Sequence, residues 1–339
     1  MCRRINHQTQ DSFKTLAIPR ILHSNATLSA NAAFPMIIQR LKKHPLIRFV
    51  LFPLIWVRRL WLRSNERRFD RAFDRILGRV KSASLEVELP DFDGVFSIGR
   101  ESLLLKCVIR EGSYEPELAA LVRRYLDRGK DAVDVGANVG FFSVLMGKLL
   151  ASEGQRVCSV EPTPGALRRL RDNLERNGVT NVVVQEGVLG SKPGEVCFNV
   201  VEGREEYSSM RPIQHTHALQ FETVEIEAPC CTLDSLVEEH GLRPGFIKMD
   251  VEGAEWEVFQ GAVETLSKHR PVILAELDDR LLAGFGTSSA NVCRFLEDRG
   301  YRVIDARTGG AVRGRQGDTI LAIPLNQGSA ESSKAPSAL

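Results

Sequence analysis

The chain has 339 residues, 43% of them hydrophobic and 26% charged, an ordinary globular composition that argues against a disordered, collagen-like or membrane-embedded protein. Its formal net charge is +2, so there is no global basic signature and no nucleic-acid partner is expected. The seven cysteines are odd in number and form no C-x-x-C. They are read as reduced thiols, and neither a disulfide framework nor a metal is expected.

The charge is unevenly placed. Residues 36–81 hold thirteen Lys and Arg against three acidic residues, a net of +10, so the rest of the chain carries −8. Residues 1–35 are polar and aperiodic and are read as a disordered or loosely attached N-terminus. The first 65 residues contain one acidic residue, Asp11, a bias that also suits a targeting segment. Residues 36–81 are read as a basic amphipathic extension, rich in Trp and Arg and interrupted by Pro53. The apolar stretch Phe49–Val57 has nine residues, against about 18–20 for a spanning helix. Two readings stay open for it: contact with a membrane surface, where Trp and Arg place an apolar body below a polar end, or packing on the catalytic domain or a partner subunit. The expected location is cytoplasmic, peripheral at a membrane under the first reading.

Residues 82–325 alternate as an α/β domain. Leu85–Leu89 and Leu103–Ile109 read as short antiparallel strands, followed by a helix from Ser113 to about Leu126. Ala132–Val135 then reads as a buried strand, broken by Gly136, with a helix starting near Gly140. Strand, glycine turn and helix present a ligand at the strand's carboxyl end. Gly136 would permit the sharp turn, and Gly140 would bring the first helical turn close to a ligand. Asp134 places a carboxylate at the strand end. A dinucleotide fingerprint would need glycine at 136, 138 and 141, but positions 138 and 141 are Asn and Phe. Asn138 leaves poor room for a diphosphate and suits an adenosine with an amino-acid arm, which is S-adenosylmethionine. A nicotinamide dehydrogenase is disfavoured on the same ground, though it stays open as an alternative.

A second strand, Arg156–Val160, ends at Glu161-Pro162. Thr163 is expected to cap the next helix, with Pro164 at its first position and Asn177-Gly178 at its end. Glu161 sits where an acid accepts hydrogen bonds from both ribose hydroxyls. A third strand leads to Gln185-Glu186-Gly187. Strands at Val196–Val201 and Thr223–Glu227 flank a polar loop with Glu205, Glu206, Tyr207, Ser208, Ser209, His215 and His217, read as a substrate lid or a surface insertion. Ile247–Met249 is a strand ending at Asp250, and Pro271–Glu276 is another with an acid at its end. A helix at 292–299 and strands at 302–305 and 320–323 close the pattern, and 326–339 is read as a disordered tail. Asp134, Glu161, Asp250 and Glu276 thus end four strands, and those ends share one rim in an open parallel sheet.

Over roughly 100–325 the chain resembles the FkbM-type S-adenosylmethionine-dependent methyltransferases. The resemblance is carried by Asp131–Gly140, Val160-Glu161-Pro162, Thr232-Leu233-Asp234, Ile247–Ala262 and Gly300–Val303; Met249 stands where an aliphatic β-branched residue is more usual. It implies a class I methyltransferase fold: a Rossmann-like, seven-stranded, mostly parallel sheet with helices on both faces and a reversed last hairpin. It implies that Asp134, Gly136, Asn138 and Gly140 line the methionine end. Glu161 would hold the ribose, and Gln185, Glu186 and Gly187 would lie near adenine. Asp250, Glu252 and Glu255 would face the transferred methyl and the acceptor, with Asp250 the first candidate base. Glu255 has a second reading as a first-turn carboxylate favoured by the helix dipole. The implied reaction is methylation of a hydroxyl on a sugar, glycan- or lipid-linked, or polyketide-type small molecule, with nitrogen acceptors open. A membrane-associated binding protein that keeps the fold without turnover is a further alternative.

Overall fold

The computed structural model describes residues 83–212, 221–315 and 318–325, together with Arg75. The chain divides into units Met1–Ile76 and Leu77–Leu339, and all the described residues except Arg75 belong to the second. The expectations for 1–35, 36–81 (Arg75 apart) and 326–339 lie outside the described residues, as do His215 and His217. Among the described residues no helix is long and apolar enough to cross a membrane.

In chain order the elements are β1 (Ser84–Leu89), β2 (Gly94–Gly99), α1 (Leu103–Glu111), α2 (Pro116–Tyr125), β3 (Asp131–Val135), α3 (Phe141–Leu150), β4 (Val157–Glu161) and α4 (Pro164–Arg176). Then come β5 (Val182–Glu186), β6 (Val188–Leu189), β7 (Gly194–Val201), β8 (Thr223–Cys231), α5 (Leu233–Glu239), β9 (Pro244–Met249), α6 (Glu255–Gln260) and α7 (Val263–Lys268). The chain continues with β10 (Val272–Glu276), α8 (Asp279–Leu282), α9 (Ser289–Glu297), β11 (Tyr301–Asp305) and β12 (Thr319–Pro324).

Seven strands form one sheet in the order β11-β12-β10-β9-β3-β4-β5. The pairs from β10 to β5 are parallel, and β12 runs antiparallel to both its neighbours. This is the expected class I methyltransferase arrangement with its reversed last hairpin. The inner strands are largely apolar because helices cover both faces; β3 and β9 are buried at every position. From β3 the chain winds outward through β4 and β5, then returns to lay β9 on the other side of β3. That reversal opens a crevice at the carboxyl ends of β3, β4 and β9.

Residues 103–111 are a helix, not the expected strand. Ser102 caps it by accepting from the Leu104 amide at 3.1 Å, and Gly112 ends it at φ +79°. Leu104, Leu105 and Val108 point inward while Ile109 is exposed. A short apolar run has no period of its own to separate helix from strand, so capping and packing decide. The partner of β1 is β2, in an antiparallel hairpin. Ser113 does not cap α2; its hydroxyl donates to Asp91. Helix α2 starts instead at Pro116, whose fixed φ suits a first turn.

The β1–β2 hairpin reaches the crevice through two contacts. Phe92 and Phe96 pack on Phe141 and Phe142 of α3, with centroids 4.8–5.5 Å apart, and Tyr114 lies 5.4 Å from Phe141. The fully buried Asn173 of α4 accepts from the Ser97 amide (2.7 Å) and donates to the carbonyls of Ser97 (3.2 Å) and Val139 (2.8 Å). One side-chain amide thus ties the hairpin to the loop after β3.

Candidate active site

The crevice is a single cleft of about 1180 Å³ of empty space, counted out to its mouth. Its floor is the loop Gly136–Val139, its sides are Val160–Thr163 and Gly187–Leu189, and its far wall is Lys248, Asp250–Glu252 and Glu276. Glu205–Ser208 and Met210 close over it together with Leu103, Leu104 and Cys107 of α1. The first residues of the loop expected as a lid or insertion, 205–210, therefore form part of the cleft's roof. Glu206 fastens it by accepting from the Leu103 amide and, at 3.3 Å, from the Ser102 hydroxyl. Glu205 pairs with Arg169 of α4 at 3.0 Å. Burial raises the Glu206 carboxyl to about 7.

Gly136 is required twice over. Its φ is +75°, and a Cβ there would lie 1.9 Å from the Asp250 carbonyl oxygen. The loops after β3 and β9 cross at this point, where the Asp250 amide donates to Val135 O at 3.0 Å. Asn138 takes φ +50°, a left-handed conformation that Asn tolerates, and lines the cleft. Gly140 does not line it. A Cβ at Gly140 would meet Leu170 Cδ1 at 2.5 Å, so this glycine serves the contact between α3 and α4 and not the approach of a ligand.

Asp134 is also turned away from the cleft. It is 0% exposed, accepts from Ser143 Oγ at 2.5 Å, and Ser143 in turn accepts from Ser159 Oγ at 2.8 Å. On a fully buried central strand this carboxylate is held by Ser143 of α3 rather than offered to a ligand. Glu161 lines the cleft with both oxygens engaged: Oε2 accepts from the Asn138 amide (2.9 Å), and Oε1 from the Thr163 amide (2.9 Å) and hydroxyl (2.5 Å). Thr163 thus serves Glu161 instead of capping α4. A carboxylate offers about four acceptor positions, so Glu161 retains capacity for a further donor. Gly187 lines the cleft at φ +130°. Glu186 faces out, 59% exposed and 3.5 Å from Arg171, because it ends β5, the edge strand of the sheet, beyond the pairing that encloses Glu161.

On the far wall Asp250 keeps 30% of its side chain exposed, with Oδ2 3.6 Å from Lys248 Nζ. Glu252 lines the cleft in a left-handed conformation (φ +54°), and its carbonyl accepts from Ser209 Oγ at 3.2 Å. Glu255 does not reach the cleft. It is 2% exposed, and its Oε1 accepts from the amides of Val251 (3.2 Å) and Gly253 (3.4 Å), closing the turn that precedes α6. Burial pushes its carboxyl up to about 8. This is the first-turn role and replaces the expected role at the acceptor.

Lys248, Tyr114 and Glu276 complete the site. Lys248 is 7% exposed. Burial acts to lower its ammonium, but Asp250, Asp134, Glu115 and Glu276 together carry it above the ordinary lysine value. A lone charge in the otherwise apolar Phe246–Met249 is the available signal for it. Tyr114 carries no sequence signal, because its place depends on how α2 packs. Burial and then Asp250 raise Glu115 to about 7, partly offset by Lys248 and Arg307.

The lining fits S-adenosylmethionine. Asp250, Glu252, Glu276 and Glu161 suit a sulfonium, an ammonium and a ribose, while Val160, Val188 and Leu189 offer an apolar wall to a purine. No phosphate-binding cation is among the lining residues except Lys248, which already faces carboxylates.

The methyltransferase FkbM domain model matches residues 134–303. A methyltransferase 1 from Beauveria bassiana is 26% identical over 185 residues, covering 50% of this chain and 72% of that protein. The hexuronic acid methyltransferase AglP of Haloferax volcanii is 27% identical over 167 residues, covering 49% of this chain and 64% of its own length. Among solved structures, the FkbM methyltransferase from Methylobacillus flagellatus aligns with a TM-score of 0.38 at 19% identity, over 57% of this chain and 43% of that one. The family match replaces the nicotinamide alternative. It spans half of the chain and takes in the strand ends that build the cleft, and on it the chain belongs to the FkbM methyltransferase family, with S-adenosylmethionine as its methyl donor.

Proposed function

We propose that the enzyme methylates a hydroxyl group of a sugar, glycan- or lipid-linked, or polyketide-type acceptor, with Asp250 as the general base and Glu252 beside it. The observation that carries this reading is Asp250: a partly exposed carboxylate on the cleft wall, fixed by its backbone to the end of β3, where the glycine loop begins. The Haloferax relative, a hexuronic acid methyltransferase by name, supports a sugar as the acceptor class.

S-adenosylmethionine, when bound, supplies an electrophilic methyl group on a cationic sulfur. Gly136–Val139 and Glu161 would hold its amino-acid and ribose parts, and Gly187 with Val188 and Leu189 would flank its base. The chain's remaining tasks are to orient the acceptor, take its proton and exclude water. A hydroxyl acceptor has a high pKa, so a carboxylate must receive the proton as the new bond forms. Asp250 is open enough to touch an acceptor, whereas Glu255 is sealed inside its turn. The roof Glu205–Met210, fastened through Glu206 and Glu205, would cover the acceptor and limit water.

The test is a labelled methyl-transfer screen against fractionated cell extract. Label is expected in a glycan or lipid-linked fraction. Asp250→Asn is expected to lose transfer by at least about 10²-fold while keeping donor binding. Donor binding without transfer to any fraction would point to a binding protein that keeps the fold, and label stable as an N-methyl group would overturn the hydroxyl.

A further inference from the structure

Lys248 lines the cleft but takes no part in removing the acceptor's proton or in holding the ribose and base. Its Nζ donates to the Gly136 carbonyl at 3.3 Å and lies 3.6 Å from Asp250 Oδ2 and 3.9 Å from Asp134 Oδ1. It also stands 5.2 Å from the Phe142 ring centroid, at a distance suited to a cation–π contact. Gly136 belongs to the loop assigned to the donor, and Asp250 to the wall assigned to the acceptor. An ammonium has three donors and no acceptor, so one group can face all three oxygens at once. Asp134 needs such a neighbour: it is fully buried, and its Oδ1 has no hydrogen-bond partner.

We propose that Lys248 is a positioning residue for methyl transfer, spanning the two loops and setting the Asp250 carboxylate relative to the Gly136 turn. The proposal rests on the reading that the donor lies against Gly136–Val139 and that Asp250 serves the acceptor. Without the ammonium, Asp134 and Asp250 lose the one cation they share, and the Gly136 carbonyl loses its tether. Tyr114, Glu115, Glu252 and Glu276 bring no cation to replace it. A neutral residue at 250 removes the charge that Lys248 sets, so the effects at 248 and 250 must be coupled.

The experiment measures S-adenosylmethionine binding by calorimetry, with thermal melting as the control for folding, on the full chain and on K248Q, K248R, D250N and K248Q/D250N. K248Q is expected to weaken binding about tenfold, and in the D250N background by less than about threefold, a coupling of ordinary size for neighbouring charged groups. K248R keeps the charge and is expected to lose less affinity than K248Q. Wild-type binding by K248Q, or equal losses in both backgrounds, would overturn the proposal. If K248Q does not fold, K248M, which keeps the stem without the charge, takes its place in both backgrounds: a tenfold loss that shrinks in D250N supports the positioning role, and wild-type binding or equal losses refute it. A wild-type chain that fails to bind the donor would sink the reading of the site itself, an outcome distinct from wild-type binding with an indifferent Lys248.

Discussion

Gly136→Ala and Gly140→Ala are the same substitution at two glycines of positive φ (+75° and +90°), yet their consequences should differ. Each alanine bears the left-handed backbone cost, about 1–2 kcal/mol. At 140 the new methyl meets Leu170 Cδ1 at 2.5 Å, the tip of a side chain that can turn within its well. At 136 it meets the Asp250 carbonyl oxygen at 1.9 Å and its carbon at 2.9 Å, and backbone cannot turn aside. The loop must withdraw by more than an ångström while the Asp250 amide is held by Val135 O at 3.0 Å. Adding an overpacking cost of about 1–3 kcal/mol gives roughly 2–5 kcal/mol for Gly136→Ala, a large share of a typical domain's stability of about 5–15 kcal/mol. Because the displaced loop carries the proposed base, transfer should fall by about 10²-fold or more. Urea unfolding followed by circular dichroism measures the first effect and a methyl-transfer assay the second. Gly140→Ala should lose about 1–3 kcal/mol and bind the donor within a few-fold of wild type, as read by calorimetry. A Gly136→Ala protein as stable and as competent as Gly140→Ala would refute the crossing of the two loops.

Two further outcomes are expected from the buried polar groups. Glu255 and Glu206 are raised by burial from the ordinary carboxylate value of 4.5 to about 8 and about 7, so the folded state holds protons that the unfolded chain releases. Their contribution is fully present below pH about 4.5 and is lost as pH rises through the folded values, so stability should decline between about pH 4.5 and 8 and then level. Melting curves from pH 5 to 9 should show this decline flattened in Glu255→Gln, and an unchanged slope would refute the burial-driven shift. Asn173→Ala leaves the Ser97 amide and the Ser97 and Val139 carbonyls without their partner; it should cost about 2–4 kcal/mol in urea unfolding and weaken donor binding through the loop at Val139.

Much of this protein is legible in the residues alone because the signals are local. Glycines after β3, the Pro164 start of α4 and apolar runs ending in acids each describe a few consecutive residues, and together they imply the parallel sheet and a cleft at its strand ends. Glu161 and Asp250 are legible in this way, and the structure sets both on the cleft wall. Residues 103–111 are not, because a nine-residue stretch with six apolar residues is settled by its caps and by what packs on it.

Only tertiary structure decided which of the charged residues face the cleft. Asp134, Glu186 and Glu255 have the right type in the right segment, but a serine relay, an edge position and an internal turn direct them elsewhere. Gly136 and Gly140 share a motif, yet one is demanded by a backbone crossing and the other by a leucine. Lys248 acquires its place from Gly136, 112 residues away in sequence. The chain by itself determined the elements and their chemistry, since these depend on neighbouring residues. Side-chain direction and the close approach of distant loops arise only when the sheet assembles, and those decided the site.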